Sequence, residues 1–159
     1  TGATEAQGWP LHRMWNHGIA EASKTADGPH NVLIINDDVE VAPDLVVQLV
    51  QALRSGDYDM AIPGDGRMTG WCFMLRGEAD LRLDEQFEWW YGDTDLERRA
   101  MQRGNVVPAR AGVKHLDPMR STLTDPVRLA QARADEKRYA EKWNLDPDTL
   151  WLAQNESKL

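Results

Sequence analysis

The apolar and polar positions in the first half of the chain are organised around one uninterrupted apolar run. Residues 32–35 are all aliphatic and rich in β-branched side chains, which predicts a strand buried on both faces. Asn and Asp are poor strand formers, so the strand is expected to end at Asn36. Two adjacent carboxylates, Asp37 and Asp38, then lie at its carboxyl edge, which is where open α/β sheets bind ligands.

The remaining elements follow from the same two periodicities. Apolar residues three and four apart predict helices over 10–24, 43–53 and 93–103, a charged helical tail from 124, and a last short helix from Asp146. Apolar runs bounded by turn residues predict strands over 58–63, 70–76, 105–109 and 111–115. Loops are expected at 1–8 and 64–67. Strands that alternate with helices predict an α/β layer fold with a mixed sheet.

Length and composition are those of one globular domain. The 159 residues are 42% hydrophobic and 28% charged, and no apolar run approaches the roughly 20 residues of a membrane span. We place the α/β unit at 1–120 and a helical extension packed on it at 121–159. The net charge of −8 argues against non-specific binding to nucleic acid or to an anionic membrane. A single cysteine, Cys72, excludes an internal disulfide and predicts a cytoplasmic location.

The paired acids at the end of the first strand have two interpretations. Asp37 and Asp38 repel each other unless a cation or a donor offsets their charge, which favours a divalent-metal site for a phosphorylated ligand. The structural alternative is a strand end followed by a capped turn. His115, at the end of a predicted strand, is either a further metal ligand or a structural hydrogen-bonding residue.

A second acidic group begins the helix at residue 93. Asp93 is either a cap on the free backbone N–H groups or a general base flanked by an aromatic wall. That wall consists of Trp89, Trp90 and Tyr91. Asp95 is four residues before Arg99 on one helix face, so the two can form a salt bridge. Nucleophilic catalysis has no support, because Cys72 lies in a predicted buried strand.

Taken in order, these segments resemble family-two glycosyltransferases of the GT-A fold. The resemblance covers roughly residues 13–118. It is carried by Asn16-x-Gly18-Ile19, Leu33-Ile34-Ile35-Asn36-Asp37-Asp38, Pro43-Asp44, Gly70-x-Cys72-Phe73, Leu83-Asp84-Glu85-x-Phe87, Gly92-Asp93-Thr94-Asp95 and the stretch from Gly104 to His115. The tail end Lys142-Trp143-Asn144 is similar to the helix end that follows many such domains.

The resemblance implies a role for each matching residue. Asn36 and Asp38 occupy the two ends of the family's DxD-type motif, so Asp38 is expected to bind Mn²⁺ or Mg²⁺ with His115. The nucleotide-sugar donor is expected to contact Asn16, Asn36 and Asp37. Asp93 matches the catalytic base and follows Gly92, where the family has an acid. The acceptor or sugar is expected to contact Gly70, Trp71, Trp89, Trp90, Tyr91 and Asp95.

The expected protein is therefore a metal-dependent, inverting glycosyltransferase with a partial GT-A-like mixed sheet, flanking helices and a C-terminal helical tail. Only about fifteen residues precede Asn16, so the family's first βαβ unit is missing and the chain is expected to be incomplete at its N-terminus. One sheet edge would then be unpaired, and we expect it to pair with a second copy or with an N-terminal segment. The alternative is a non-catalytic carbohydrate-binding or scaffolding domain, which the missing unit and Asn36 favour.

Overall fold

The structure is a computed structural model that describes residues 8–64, 70–116 and 124–155, without the side chains of residues 151 and 155. The loops expected at 1–8 and 64–67 lie mostly outside these ranges, as does the expected boundary between residues 120 and 121. None of the described helices has the length and apolar character that crossing a membrane requires.

Helices and strands form where the periodicity predicts them, with ends shifted by a few residues at most. The helices are α1 (Leu11–Thr25), α2 (Leu45–Arg54), α3 (Gly92–Gln102), α4 (Pro126–Trp143) and α5 (Trp151–Asn155), with short 3₁₀ turns at Gly77–Ala79 and Pro147–Thr149. The strands are β1 (Asn31–Ile35), β2 (Val39–Val41), β3 (Met60–Pro63), β4 (Cys72–Arg76), β5 (Val106–Ala109) and β6 (Val113–His115). Strand β2 was not predicted.

The fold is mixed α/β, as expected. Four strands form one sheet in the order β1-β4-β3-β5, in which β4 is antiparallel to both neighbours and β3 is parallel to β5. Strands β2 and β6 form a separate antiparallel pair. Helix α1 covers one face of the larger sheet through Ile19, and α2 covers the other through Leu49. The mixed sheet flanked by helices is therefore confirmed.

The prediction that β1 is buried on both faces is wrong. Ile34 is buried on the α1 side, but Ile35 is 41% exposed. The reason is the position of the strand, because β1 pairs only with β4 among the described residues and so lies at the end of the sheet. An apolar run does not by itself reveal which strand is outermost.

The C-terminal helix α4 packs on the α/β unit with an unusual buried face. Its N-cap Asp125 accepts hydrogen bonds from two backbone N–H groups, and the helix ends where Asn144 adopts a left-handed conformation. The buried residues recur at helical spacing and include two acids: Ala132, Asp135, Glu136, Tyr139 and Ala140.

Candidate functional site

The unpredicted strand β2 brings Asp38 and His115 together. Val39 pairs with His115 in the β2–β6 ladder, and Leu116 N donates to the backbone oxygen of Asp38 at 2.8 Å. As a result His115 Nε2 lies 3.0 Å from Asp38 Oδ2, although the two residues are 77 positions apart in the sequence. The GT-A resemblance implies that these two residues lie close together, and the structure has them in direct contact.

The second carboxylate oxygen of Asp38 has no partner in the part of the chain that the structure describes. Asp38 Oδ1 is buried and accepts no hydrogen bond from any described residue. Buried polar atoms are nearly always paired, so an unpaired one requires an explanation such as a bound water, a cation or a ligand. Among the described residues, only one of the two carboxylate oxygens of Asp38 has a hydrogen-bonding partner.

Trp71 lies against the histidine of this pair. Its ring stacks on that of His115, with centroids 5.4 Å apart and planes 8° from parallel. The backbone oxygen of Trp71 accepts from Asn36 N at 2.9 Å. The turn after β1, the residue before β4 and the end of β6 therefore meet at one place. Asn36 is partly buried there, and Asp37 is exposed.

Asp93 reaches the same region through Gly70. The Asp93 carboxylate lies so close to Gly70 that a Cβ added there would collide with it, and Gly70 also has a φ of +73°. Glycine is thus needed at residue 70 for both reasons. Asp93 lies in the first turn of α3, whose N-cap position is Tyr91 with no side-chain capping bond. Asp93 therefore lies in the first turn of α3 and not at its N-cap position.

The structure does not bring Asn16 to this group. The Asn16 amide is used by the chain before α3, where its Oδ1 accepts from Leu83 N at 2.8 Å and its Nδ2 donates to Leu83 O at 2.9 Å. The same Nδ2 donates to Glu85 Oε1. Both ends of the amide therefore hold that segment onto α1, which is a structural role in place of the expected contact with the donor.

Asp95 lies on the buried face of α3 and is fully buried, so its side chain does not face an acceptor. The predicted salt bridge with Arg99 is confirmed at 2.8 Å. Its other oxygen accepts from Trp143 Nε1 at 2.9 Å and Lys142 Nζ at 2.7 Å. The Lys142-Trp143 helix end thus anchors α4 to α3 through one carboxylate.

Lys142 also reaches Asp84, at 2.7 Å, and the two charges affect each other's titration. Burial works to raise the pKa of Asp84, but hydrogen bonds from Lys142 and from Gln86 N outweigh it and lower that pKa. Burial works to lower the pKa of Lys142, but its hydrogen bonds to Asp84 and Asp95 raise it. The network therefore favours the charged form of both groups.

The aromatic segment before α3 is partly buried and braced by other rings. Arg128 lies over the Trp89 ring at 4.7 Å, and the Trp90 ring meets that of Tyr91 edge-on at 6.3 Å. The Tyr91 ring stacks on Tyr139 of α4 with centroids 4.8 Å apart. The segment therefore forms a braced aromatic wall that precedes Asp93 in the chain.

Two acids of α4 that hold this wall were missed in the sequence. Asp135 accepts hydrogen bonds from three backbone N–H groups of residues 88–90, and Glu136 accepts from the Tyr91 hydroxyl. Their spacing relative to Ala132 and Tyr139 was the available signal. A helix face that buries residues 132 and 139 also buries 135 and 136.

The donor set suits a hard cation that shares its shell with other ligands. Among the residues that the structure describes, no group of three or more His, Cys, Asp or Glu side chains is arranged to hold a metal ion. Mg²⁺ bound to a diphosphate, however, keeps several waters and takes only one or two protein carboxylates. Asp38 Oδ1, which is buried and accepts no hydrogen bond from the described residues, and the adjacent His115 fit that pattern.

Comparison of the chain with protein-family models, with curated proteins and with solved structures finds no match. Function is therefore inferred from the residues that the fold brings together.

Proposed function

We propose that the protein transfers a sugar from a nucleotide-diphosphate sugar to an acceptor hydroxyl, with inversion at the anomeric carbon and with Mn²⁺ or Mg²⁺ as cofactor. The observation that carries the proposal is the convergence at the end of β1. Asp38, His115 and Trp71 come from separate parts of the chain and meet there, and Asp93 contacts the glycine next to Trp71. The GT-A resemblance assigns a role in sugar transfer to each of these residues.

Asp38 and His115 would hold the cation, with Asn36 and Asp37 on the same turn beside the diphosphate. When bound, the cation offsets the negative charge that develops on the leaving diphosphate. The Asp38 Oδ1 atom supports this assignment, because it is a buried carboxylate oxygen that accepts no hydrogen bond from the described part of the chain.

Asp93 would accept the proton of the acceptor hydroxyl as that oxygen attacks the anomeric carbon. A base must first be within reach of its proton. The Asp93 carboxylate lies against Gly70, the residue that precedes Trp71. Trp71, Trp89, Trp90 and Tyr91 would offer aromatic faces to the sugar rings, since such rings combine a large apolar surface with polar edges.

Two expectations about partners and location stay predictions. Strand β1 lies at the end of the described sheet, and its last residue, Ile35, is exposed. This position supports pairing of that edge with another strand. The partner strand, from a second copy or an N-terminal segment, and the cytoplasmic location are untested.

The second candidate is a non-catalytic carbohydrate-binding or scaffolding domain. The direct bond between Asp38 and His115 favours it, because a protein that no longer bound metal would pair these two groups with each other. Asn36 removes one charge from the motif and acts in the same direction.

Calorimetric titration with UDP and with GDP, each with and without Mn²⁺, separates the two candidates. The transferase proposal expects binding of one nucleotide that requires Mn²⁺ and is lost in Asp38→Ala. Glu40→Gln is the matched control, because Glu40 is an exposed acid in the same small sheet, with a 3.9 Å ion pair to Lys114. Absence of binding, or equal binding with and without Mn²⁺, would remove the metal-site assignment.

A further inference from the structure

The segment that leads into Asp93 is held on its carbonyl side by α1. Leu11 N donates to Glu88 O at 3.0 Å, and His12 Nδ1 lies 2.7 Å from Phe87 O. His12 is buried, and its ring packs so closely on Gly92 that a side chain there would overlap it. Helix α1 therefore fixes both the entry to the segment and the residue just before Asp93.

The same segment is held on its N–H side by one carboxylate of α4. Asp135 is fully buried and accepts from the backbone nitrogens of Glu88 at 3.1 Å, Trp89 at 2.7 Å and Trp90 at 2.9 Å. Arg138 balances its charge at 2.8 Å. Hydrogen bonds to an ionised acceptor are stronger than neutral ones, and three from consecutive residues leave the backbone little freedom.

Tyr91, which follows directly, has a strained backbone. Its φ of 63° lies in the left-handed region, which side chains with a Cβ rarely adopt. Its hydroxyl donates to Glu136, and its ring stacks on Tyr139. Glu136 in turn accepts from Leu152 N at 2.8 Å and Ala153 N at 3.0 Å, which ties α5 into the same arrangement.

We propose that Asp135 and Glu136 are positioning residues that keep Tyr91 in its left-handed conformation and thereby set the Asp93 carboxylate against Gly70. Tyr91 is the N-cap of α3, so a change in its φ reorients the first turn that carries Asp93. Any effect on catalysis rests on the proposed function, in which Asp93 is the base. Helix α4 therefore acts on the site through the backbone of residues 88–91.

The test is nuclear magnetic resonance on the full chain, with two readouts. The first is hydrogen exchange at the amides of residues 88–90. The second is the nuclear Overhauser contact between Gly70 Hα and Asp93 Hβ, which reports the orientation of Asp93 directly. In Asp135→Asn, the loss of charged hydrogen bonds is expected to speed exchange at these amides by about tenfold or more and to weaken the Gly70–Asp93 contact.

The matched control is Glu141→Gln, which removes one negative charge from an exposed position of the same helix. It is expected to leave both readouts unchanged. If Asp135→Asn does not fold, Tyr91→Phe decides the matter, because it removes only the hydroxyl that contacts Glu136. It is expected to weaken the Gly70–Asp93 contact while the amides of residues 88–90 stay protected. A wild-type contact in every variant that folds would overturn the proposal.

Titration with Mn²⁺ and UDP separates this proposal from the proposed function. Tyr91→Phe is expected to bind Mn²⁺·UDP like the wild type and to turn over more slowly at saturating donor. A loss of Mn²⁺·UDP affinity in this variant would overturn the positioning role, because the change would have spread to the metal site. A wild-type protein that binds no Mn²⁺·UDP would instead refute the proposed function, and the resonance readouts would still decide the positioning role.

Discussion

Acids in two regions of this protein differ in how completely the fold pairs their carboxylate oxygens. After the end of β1, Asp38 has one oxygen near His115, and the other is buried with no partner among the described residues. Between α3 and α4, Asp95 and Asp135 are fully buried, and both oxygens of each accept hydrogen bonds. The two fully buried, fully paired carboxylates serve the structure, whereas the partly exposed Asp38, with a side chain 41% exposed, is available to a ligand.

The largest expected effect is on catalysis at Asp93. Asp93→Asn keeps the shape of the side chain but cannot accept the acceptor's proton. Turnover is expected to fall by on the order of 10²–10⁴-fold, as for other general bases, with Mn²⁺·UDP affinity unchanged. Steady-state kinetics and calorimetry measure the two effects. The control is Asp57→Asn, an exposed acid in the turn after α2 that pairs with Arg76 at the end of β4. Equal turnover in both variants would exclude Asp93 as the base.

The comparison between the two acidic groups is tested most directly by stability. Asp95→Asn leaves the charges of Lys142 and Arg99 without their buried counter-charge, so we expect a loss of about 3 kcal/mol in the free energy of unfolding. Urea denaturation measures it.

Asp38→Asn provides the other half of that test. It removes a carboxylate whose Oδ1 has no partner within residues 8–64, 70–116 and 124–155, so the expected change is less than about 1 kcal/mol. A loss as large as that of Asp95→Asn would contradict the distinction drawn here, since Asp38 would then be a structural residue too.

A smaller effect is expected in the pH dependence of stability. The pKa of Asp84 is lowered in the folded protein, so its ion pair with Lys142 stabilises the fold fully above the ordinary value of 3.8 and less as the pH falls below it. The stability difference between the wild type and Asp84→Asn should therefore shrink below about pH 4. Urea midpoints from pH 7 to pH 3 measure it, and a constant difference over that range would refute the effect.

The last expected effect concerns the reactivity of Cys72, which follows Trp71 and begins strand β4. Burial raises the pKa of the Cys72 thiol from 9.0 to about 11. At pH 8 this leaves about 100-fold less thiolate than in the unfolded chain, which predicts slow modification by thiol reagents in the native state. The rate of reaction with a chromogenic disulfide, compared with the rate in urea, measures this. Similar rates would mean that the sheet opens readily beside the site.

Most of the secondary structure was predictable because it depends on near neighbours. The helices at α1, α2 and α3 follow from apolar residues three and four apart, and Gly104 stops α3 with a φ of +75° as its sequence suggests. Strand β2 was missed because three residues of Val39–Val41 carry too little pattern. Its formation depends on pairing with β6, about 75 residues away.

The site was predicted in part for the same reason. Residue types at Asp38, Asp93 and His115 pointed to chemistry, and the structure brings Asp38 to His115 and Asp93 to Gly70. Asn16 and Asp95 were also expected to contact ligands, yet their polar groups are used inside the protein. All of these side chains are polar, so the sequence does not distinguish them. Only the neighbours that the fold supplies show which residue can bind a ligand and which one stabilises the structure.

By itself, the sequence determined the kind of each element, the α/β class and the candidate acids, because these follow from local spacing and side-chain chemistry. Within the described residues, the tertiary structure decided which strand is outermost, which acids are buried and paired, and which carboxylate oxygen is left without a partner. Those outcomes depend on contacts between residues tens of positions apart, such as Asp135 with the backbone of Trp89. A local pattern has no means to encode such contacts, because burial and pairing are properties of the packed chain.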